Sequence, residues 1–254
     1  MIKVKIIIYF AMCIFPCLGI ANTCNTVTVT GNPEYAPVTF KNKSGEMVGS
    51  YIEFTQMVLK ELGVNSIAKT AGNWRRAQET VKEGEIDILA GPWFNENRNV
   101  WLDYVQPAIS LDPAVIATKK GKEFNFKVMT DLVGKKGVMQ RGFSIGEEFD
   151  TYSKASLKMK EVNKWESALK MILMGRADYA PIGLHQGLLD AARYGLSDQL
   201  SFLPNPITKD RMYIGFSKKS NCRYLAEKMT PIIERFKKEN VLEKLTEKYI
   251  NLYK

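Results

Sequence analysis

One pattern occurs twice in this chain. Trp74 stands ten residues before Gly84, and Gly84 stands three before Asp87; Trp165 stands ten before Gly175, and Gly175 three before Asp178. Each time, apolar residues at helical spacing (Ala77 and Val81; Ala168, Leu169, Ile172 and Leu173) run into the glycine, which stops the helix. A short strand-like run follows. Internal repeats are read first because they set architecture. Two helix–strand units 91 residues apart predict an α/β protein of two similarly built lobes. A cleft between such lobes is a common place for a small-molecule site.

In the first copy the expected strand is Ile86 to Ala90, apolar except for Asp87, followed by Gly91-Pro92-Trp93-Phe94 and Asn95-Glu96-Asn97-Arg98. Ligands of open α/β sheets sit beyond the carboxyl ends of strands. Gly91, Trp93 and Arg98 on such a loop form a candidate site for an anion and a ring. The competing readings are a packing tryptophan and a surface arginine.

Residues 1–21 carry two lysines, a 15-residue apolar run from Ile6 to Ile20, and small residues Gly19 and Ala21 at the positions a signal peptidase reads. They predict a cleavable secretory signal, cut after Ala21, and hence an exported protein. The run is short for a membrane span. Neither Cys17 nor Cys24 has the context of a lipoprotein cysteine. Cleavage leaves 233 of the 254 residues and, with Lys3 and Lys5 gone, a formal charge of +7 rather than +9. The charges are interspersed, which reads as a solvated surface, and no nucleic-acid partner is expected. Cys24 and Cys222 remain in an oxidising compartment, where a disulfide between them is expected; two buried thiols are the alternative. One His and no second cysteine pair leave no zinc cage, and no metal or cofactor is expected.

The mature chain opens with the alternating strand Thr26–Thr30, and a turn-rich loop puts Tyr35 just past its end. Ser50 and Glu53 form an apparent capping box for a helix whose core face is Tyr51, Phe54, Val58 and Leu62, ended by Gly63. From Leu225 to Tyr249, helical spacing resumes around Pro231, with Ser220-Asn221 as the expected cap.

Gly31 to Pro37, Gly45 to Gly49, Lys60-Glu61-Leu62-Gly63, Gly84-Glu85-Ile86-Asp87, Asn95-x-x-Arg98, Asp131-Leu132-Val133-Gly134-Lys135, Gly175-Arg176-Ala177-Asp178 and Tyr213 to Lys219 fall in one order. That ordered set resembles bacterial periplasmic solute-binding protein family 3, the amino-acid-binding branch, over nearly all of residues 26–250. The resemblance implies a bilobal α/β periplasmic-binding-protein fold of type II. Lobe one would be 22–116 with 213–254, and lobe two 117–212, joined by two hinge crossings. It implies a small polar solute, an amino acid or related carboxylate, delivered to an ABC transporter permease in the inner membrane by a monomer.

Residue by residue, the resemblance makes Tyr35 the aromatic over the ligand, Trp74 an apolar lining residue and Arg98 the carboxylate-binding arginine. Gln140-Arg141-Gly142-Phe143-Ser144 matches the lobe-two loop that contacts ligand, so Arg141, Phe143 and Ser144 join the candidate set. A guanidinium suits this role because it offers paired donors and stays charged. Asn95 stands where the family has a threonine. Gly183 stands where amino-acid binders have an ammonium-holding acid, and no acid follows until Asp190. Glu34 or another acid would have to serve, or the ligand is not an ordinary α-amino acid. The alternatives are a dehydratase-like enzyme on the same scaffold, which needs a general acid in the cleft, or a solute-sensing partner of a membrane receptor. The lone His185 is read as packed or exposed rather than functional.

Overall fold

The computed structural model describes residues 24–111, 113–208 and 211–253. The expected signal peptide lies outside these residues. The first lobe opens with Thr26–Thr30 (β1), the small strands Glu34–Tyr35 (β2), Thr39–Lys41 (β3) and Met47–Val48 (β4), and helix Ser50–Glu61 (α1). Asn65–Ala68 (β5), helix Trp74–Glu83 (α2), Ile88–Trp93 (β6), the one-turn helix Glu96–Asn99 (α3), Leu102–Tyr104 (β7) and Ser110–Leu111 (β8) follow. The second lobe contains Ala114–Lys119 (β9), Lys136–Gln140 (β10), Glu147–Ser156 (α4), Lys158–Val162 (β11), Trp165–Leu173 (α5), Ala180–Gly183 (β12), Leu184–Arg193 (α6) and Leu200–Phe202 (β13). The chain then returns as Arg211–Ser217 (β14), Leu225–Lys238 (α7) and Val241–Tyr253 (α8).

In the first lobe β5, β1 and β6 run parallel, and β14 inserts antiparallel between β6 and β7, also pairing with β8. In the second, β10 and β11 are parallel while β9 takes β12 and β13 as antiparallel partners. The chain enters the second-lobe sheet along β9 and returns to the first-lobe sheet along β14.

The repeated pattern has a physical meaning in both lobes. Gly84 and Gly175 sit at φ 82° and 68°, the left-handed turn that ends a helix. Three residues later the aspartate accepts a backbone N–H from the neighbouring sheet strand: Thr28 N to Asp87 Oδ2 at 2.8 Å, and Lys136 N to Asp178 Oδ2 at 2.6 Å. The carboxylate ties the incoming strand to the one beside it.

The expected core face of α1 is present, with Phe54 edge-on to Phe236 of α7 at 5.7 Å. Two expectations are corrected. Gly49, not Ser50, holds the N-cap position of α1, and the Ser50 hydroxyl donates to Pro37 O at 3.3 Å. Ser220 does not cap α7; its hydroxyl donates to Asp87 Oδ1 at 2.7 Å, and Tyr224 is the N-cap. Pro231 lies inside α7, which continues through it. Cys24 and Cys222 are disulfide-bonded with Cα atoms 5.5 Å apart.

Candidate functional site

The site begins at a fault in β6. Trp93 pairs with Met212 and Ala90 with Ile214, so Gly91 and Pro92 face Tyr213 alone, which is a β-bulge. Gly91 has φ 77°, and a Cβ there would lie 3.0 Å from the Tyr51 ring and 3.3 Å from Val38. Gly91 therefore belongs to the strand and faces α1 packing. The strand runs to Trp93 instead of ending at Ala90.

Past the bulge, four buried rings join the lobes. Tyr35 and Trp93 come from the first lobe, Phe143 and Trp165 from the second. Trp93 lies edge-on to Tyr35 at 5.8 Å and to Phe143 at 5.2 Å, and Phe143 meets Trp165 at 4.9 Å. Each is a T-shaped contact of the favoured kind.

Arg98 is 5% exposed. Asn95 positions it by capping α3, its side chain accepting from Arg98 N at 3.1 Å. The guanidinium donates through Nη1 to Trp93 O at 2.7 Å and through Nε and Nη2 to Gln78 Oε1 at 3.2 and 3.0 Å. It also lies 5.7 Å from the Trp74 ring centroid. Gln78 Nε2 in turn donates to Gly142 O of the second lobe at 3.2 Å.

A cavity of about 510 Å³ opens beside Arg98. Asn95, Asn97 and Arg98 line it from the first lobe; Met139, Phe143, Ser144, Asp150, Lys154 and Glu161 are among its second-lobe lining. Asp150 Oδ2 accepts from Ser144 Oγ at 2.5 Å and Asn95 Nδ2 at 3.2 Å, and Oδ1 from Ile145 N at 3.3 Å. Burial raises the Asp150 pKa, opposed by the Ser144 and Ile145 bonds and by the charges of Arg98 and Lys154. A smaller cavity of about 260 Å³ lies between Trp74 and Arg75 on one side and Gln140, Arg141 and Asn163 on the other. Arg141 is half-exposed and pairs with Glu161 at 3.4 Å, and Arg75 pairs with Glu79 at 3.4 Å.

A third set of polar groups crosses the junction. Gln140 Nε2 donates to Glu34 Oε2 at 2.7 Å, Asn32 Nδ2 to Gln140 Oε1 at 3.3 Å, and Gln186 Nε2 to Glu34 O at 2.7 Å. Gly183 is the N-cap of α6 and offers no side chain. Asp190, one turn beyond Gln186, is 3% exposed. Burial pushes its carboxyl up to about 7, aided by Glu34 and opposed by Arg193 and Gln186. Among the described residues, the buried polar atoms without a hydrogen-bond partner are the indole N–H groups of Trp74, Trp93 and Trp165, Thr30 Oγ1, Asp190 Oδ2 and Gln186 Oε1.

The candidate residues thus fall into groups. Tyr35, Trp93 and Phe143 form the ring stack; Arg98, Phe143 and Ser144 line the larger cavity; Trp74 and Arg141 line the smaller one; Gly91 lines neither. His185 is exposed. Gln78, Asp150, Trp165 and Gln186 were not among the candidates. Gln78 follows Trp74 by four residues on one helix face, and Trp165 is the repeat partner of Trp74, so both had a signal. Asp150 and Gln186 had none.

The profile of bacterial extracellular solute-binding proteins, family 3, matches residues 27–252. The chain belongs to this family. A match to a family of solute-binding proteins gives the dehydratase alternative no support. The L-cystine-binding protein TcyJ of Escherichia coli K12 is 26% identical over 134 residues, 52% of this chain and 48% of that protein. The chain thus spans about half the length of the curated relatives it matches. A histidine kinase sensor domain with similarity to periplasmic binding proteins superposes with TM-score 0.74 at 20% identity, over 88% of this chain and 95% of that one. The amino acid ABC transporter substrate-binding protein AbpA of Streptococcus pneumoniae, bound to L-arginine, gives 0.74 at 20% identity over 90% and 96%. These structures share the bilobal fold of family 3.

Proposed function

We propose that the chain binds an amino acid or related carboxylate between its lobes and delivers it to an ABC importer in the inner membrane. In this reading residues 1–21 direct export to the periplasm and are removed. Residues 22–116 with 213–254 close on residues 117–212, and the monomer presents its closed form to the permease. The observation that carries the reading is the buried Arg98 guanidinium at the edge of a cavity lined by both lobes. Arginine is retained where planar, bidentate recognition of a carboxylate matters. Tyr35, Trp74, Trp93 and Phe143 would flank the solute with Arg141 and Ser144 beside them, and Gly91 would serve indirectly, by forming the bulge that places Trp93. The similar proteins TcyJ and AbpA bind L-cystine and L-arginine, both amino acids.

A thermal-shift screen of the mature protein against amino acids, dicarboxylates and polyamines tests this. A ligand at 100 times its Kd adds about 2.7 kcal/mol, a shift of roughly 5–10 °C at this chain length. Arg98→Ala is expected to weaken the carboxylate ligand found by about 2–5 kcal/mol. Unchanged affinity in calorimetry would remove Arg98 from the site.

A further inference from the structure

We infer that closing the lobes takes up a proton at Asp190, so that the contact between β2 and α6 is a pH-sensitive latch. The inference deepens the proposed function: it rests on the opening and closing of the lobes but not on which solute the cleft takes. Its ground is a pair of acids, one from each lobe, on the two sides of one hydrogen bond. Gln186 of α6 donates through Nε2 to Glu34 O of β2 at 2.7 Å. Asp190 stands four residues after Gln186 on the same face of the helix. The Gln186 side chain also hydrogen-bonds the Asp190 carboxyl. Closure therefore brings Glu34, with its own carboxylate, up to a buried acid of the other lobe.

Two buried oxygens on that helix face lack a donor, Gln186 Oε1 and Asp190 Oδ2. Ionised, Asp190 would hold charge on an oxygen that nothing donates to, which is costly in a closed junction. Protonated, the carboxyl carries an O–H and becomes a donor itself. The proton thus removes one of two facing negative charges and supplies a donor where none is present.

The surrounding charges leave this balance in place. On α6, Arg193 opposes both acids, and His185 is exposed. At the start of α5, Lys164 lowers the Glu34 pKa, the Trp165 N–H donates to Glu34, and Glu166 raises it. β12 carries no charged residue, and Lys119 of β9 donates to Leu173 O at 3.0 Å. Burial still raises both carboxyls, Asp190 to about 7, and the Glu34 charge adds to the Asp190 rise. Opening takes Glu34 away from α6, so the open form binds this proton less tightly. The advantage to closure is fully present below the open-form pKa and is lost as pH rises through about 7. Between those limits the closed-to-open ratio falls by at most roughly tenfold per pH unit, the bound for one linked proton.

The test is small-angle scattering of the ligand-free protein from pH 4 to pH 9, on wild type, Asp190→Asn and Glu34→Gln. Asparagine keeps the shape and offers N–H donors but cannot ionise. We expect the wild-type radius of gyration to grow with pH, its midpoint lying between 3.8 and about 7. Asp190→Asn should keep the compact radius at pH 9. In Glu34→Gln the facing charge is gone, and the midpoint should move to lower pH. A wild-type radius that does not change with pH overturns the inference, as does an Asp190→Asn curve that follows wild type. If Asp190→Asn does not fold, Glu34→Gln decides, because an unmoved midpoint overturns the inference too. Calorimetry with L-arginine, L-lysine and L-glutamine at pH 5 separates this from the solute-binding reading. Binding there beside a pH-independent radius overturns the latch alone. A pH-dependent radius without binding of any probe supports the latch and counts against the amino-acid reading.

Discussion

Gln78 holds the edge of Arg98 that a carboxylate needs. Its Oε1 takes both Nε–H and Nη2–H, the pair of donors a carboxylate would engage. A solute reaching that edge must displace the amide, which then loses its bridge to Gly142 O. Gln78→Ala removes the competitor. A hydrogen bond to a charged group is worth about 1.5–3 kcal/mol net, so affinity for the carboxylate ligand is expected to rise at least roughly tenfold in calorimetry. Unchanged or weaker binding would mean the solute uses the other face of the guanidinium.

Asp190 gives a second prediction at this scale. Burial raises its folded-state pKa to about 7 from an ordinary 3.8, so the native state holds its proton more tightly than the unfolded chain. Stability from this proton is fully present below pH 3.8 and is lost as pH rises through about 7. At about 1.4 kcal/mol per pKa unit the loss is up to about 4 kcal/mol. Glu34, raised by burial, acts in the same direction. Wild type should therefore melt at a lower temperature at pH 8 than at pH 5, and Asp190→Asn should lose much of that dependence. Parallel curves for the two proteins would rule Asp190 out as its source. Arg98 and the rings were legible as side chains because loop position and residue type mark them. Their partners were not, since Gln78 meets the guanidinium only through the packing of α2 on α3 within the first lobe, and Asp150 comes near its charge only once the two lobes are brought together.

Elements were legible where one period governed them. β1 was read to the residue, and the Trp–Gly–Asp echo marked two helices and the strands after them because each lobe solves the same local problem with a left-handed stop and an anchoring carboxylate. Reading failed where tertiary contact overrode a local motif. Ser50 and Glu53 have capping-box spacing, yet the Ser50 hydroxyl is taken by Pro37 O. Gly91-Pro92 carries turn chemistry, yet β14 lies alongside and makes it a bulge inside β6. That bulge sits just before Trp93, whose ring enters the interlobe stack and whose carbonyl takes Arg98 Nη1 and Tyr104 Oη. Gly91→Ala places a Cβ against Tyr51 at a positive φ. We expect a loss of about 1–3 kcal/mol in urea unfolding, with weaker solute binding as Trp93 shifts. A variant as stable as wild type would show that the bulge tolerates a side chain.

At the scale of the whole molecule, two devices act on different equilibria. The Cys24–Cys222 bond spans 198 residues and joins the start of β1 to the entry of α7, both in the first lobe. It bears on folding, with a chain-entropy contribution on the order of 5 kcal/mol. Closure of the lobes is held by a different set: Gln78 on Gly142 O, Asn95 on Asp150, Glu96 N on Glu147, and the Asn32–Gln140–Glu34 and Gln186–Glu34 bonds. Gln140 bridges the lobes twice, giving Nε2 to Glu34 and taking Asn32 on Oε1, and Nε2 also reaches Asn163 O. Gln140→Ala cuts two links between the lobes at once. At about 1 kcal/mol per hydrogen bond, more where a carboxylate accepts, the open form gains at least about tenfold in relative population. Solute binding draws on the closed form, so its apparent affinity falls by the fraction of closed molecules lost. Small-angle scattering of the ligand-free protein should show a larger radius of gyration for Gln140→Ala than for wild type, and saturating solute should bring the two together. Identical scattering without ligand would mean that the ring stack of Tyr35, Trp93, Phe143 and Trp165, rather than these hydrogen bonds, holds the lobes closed.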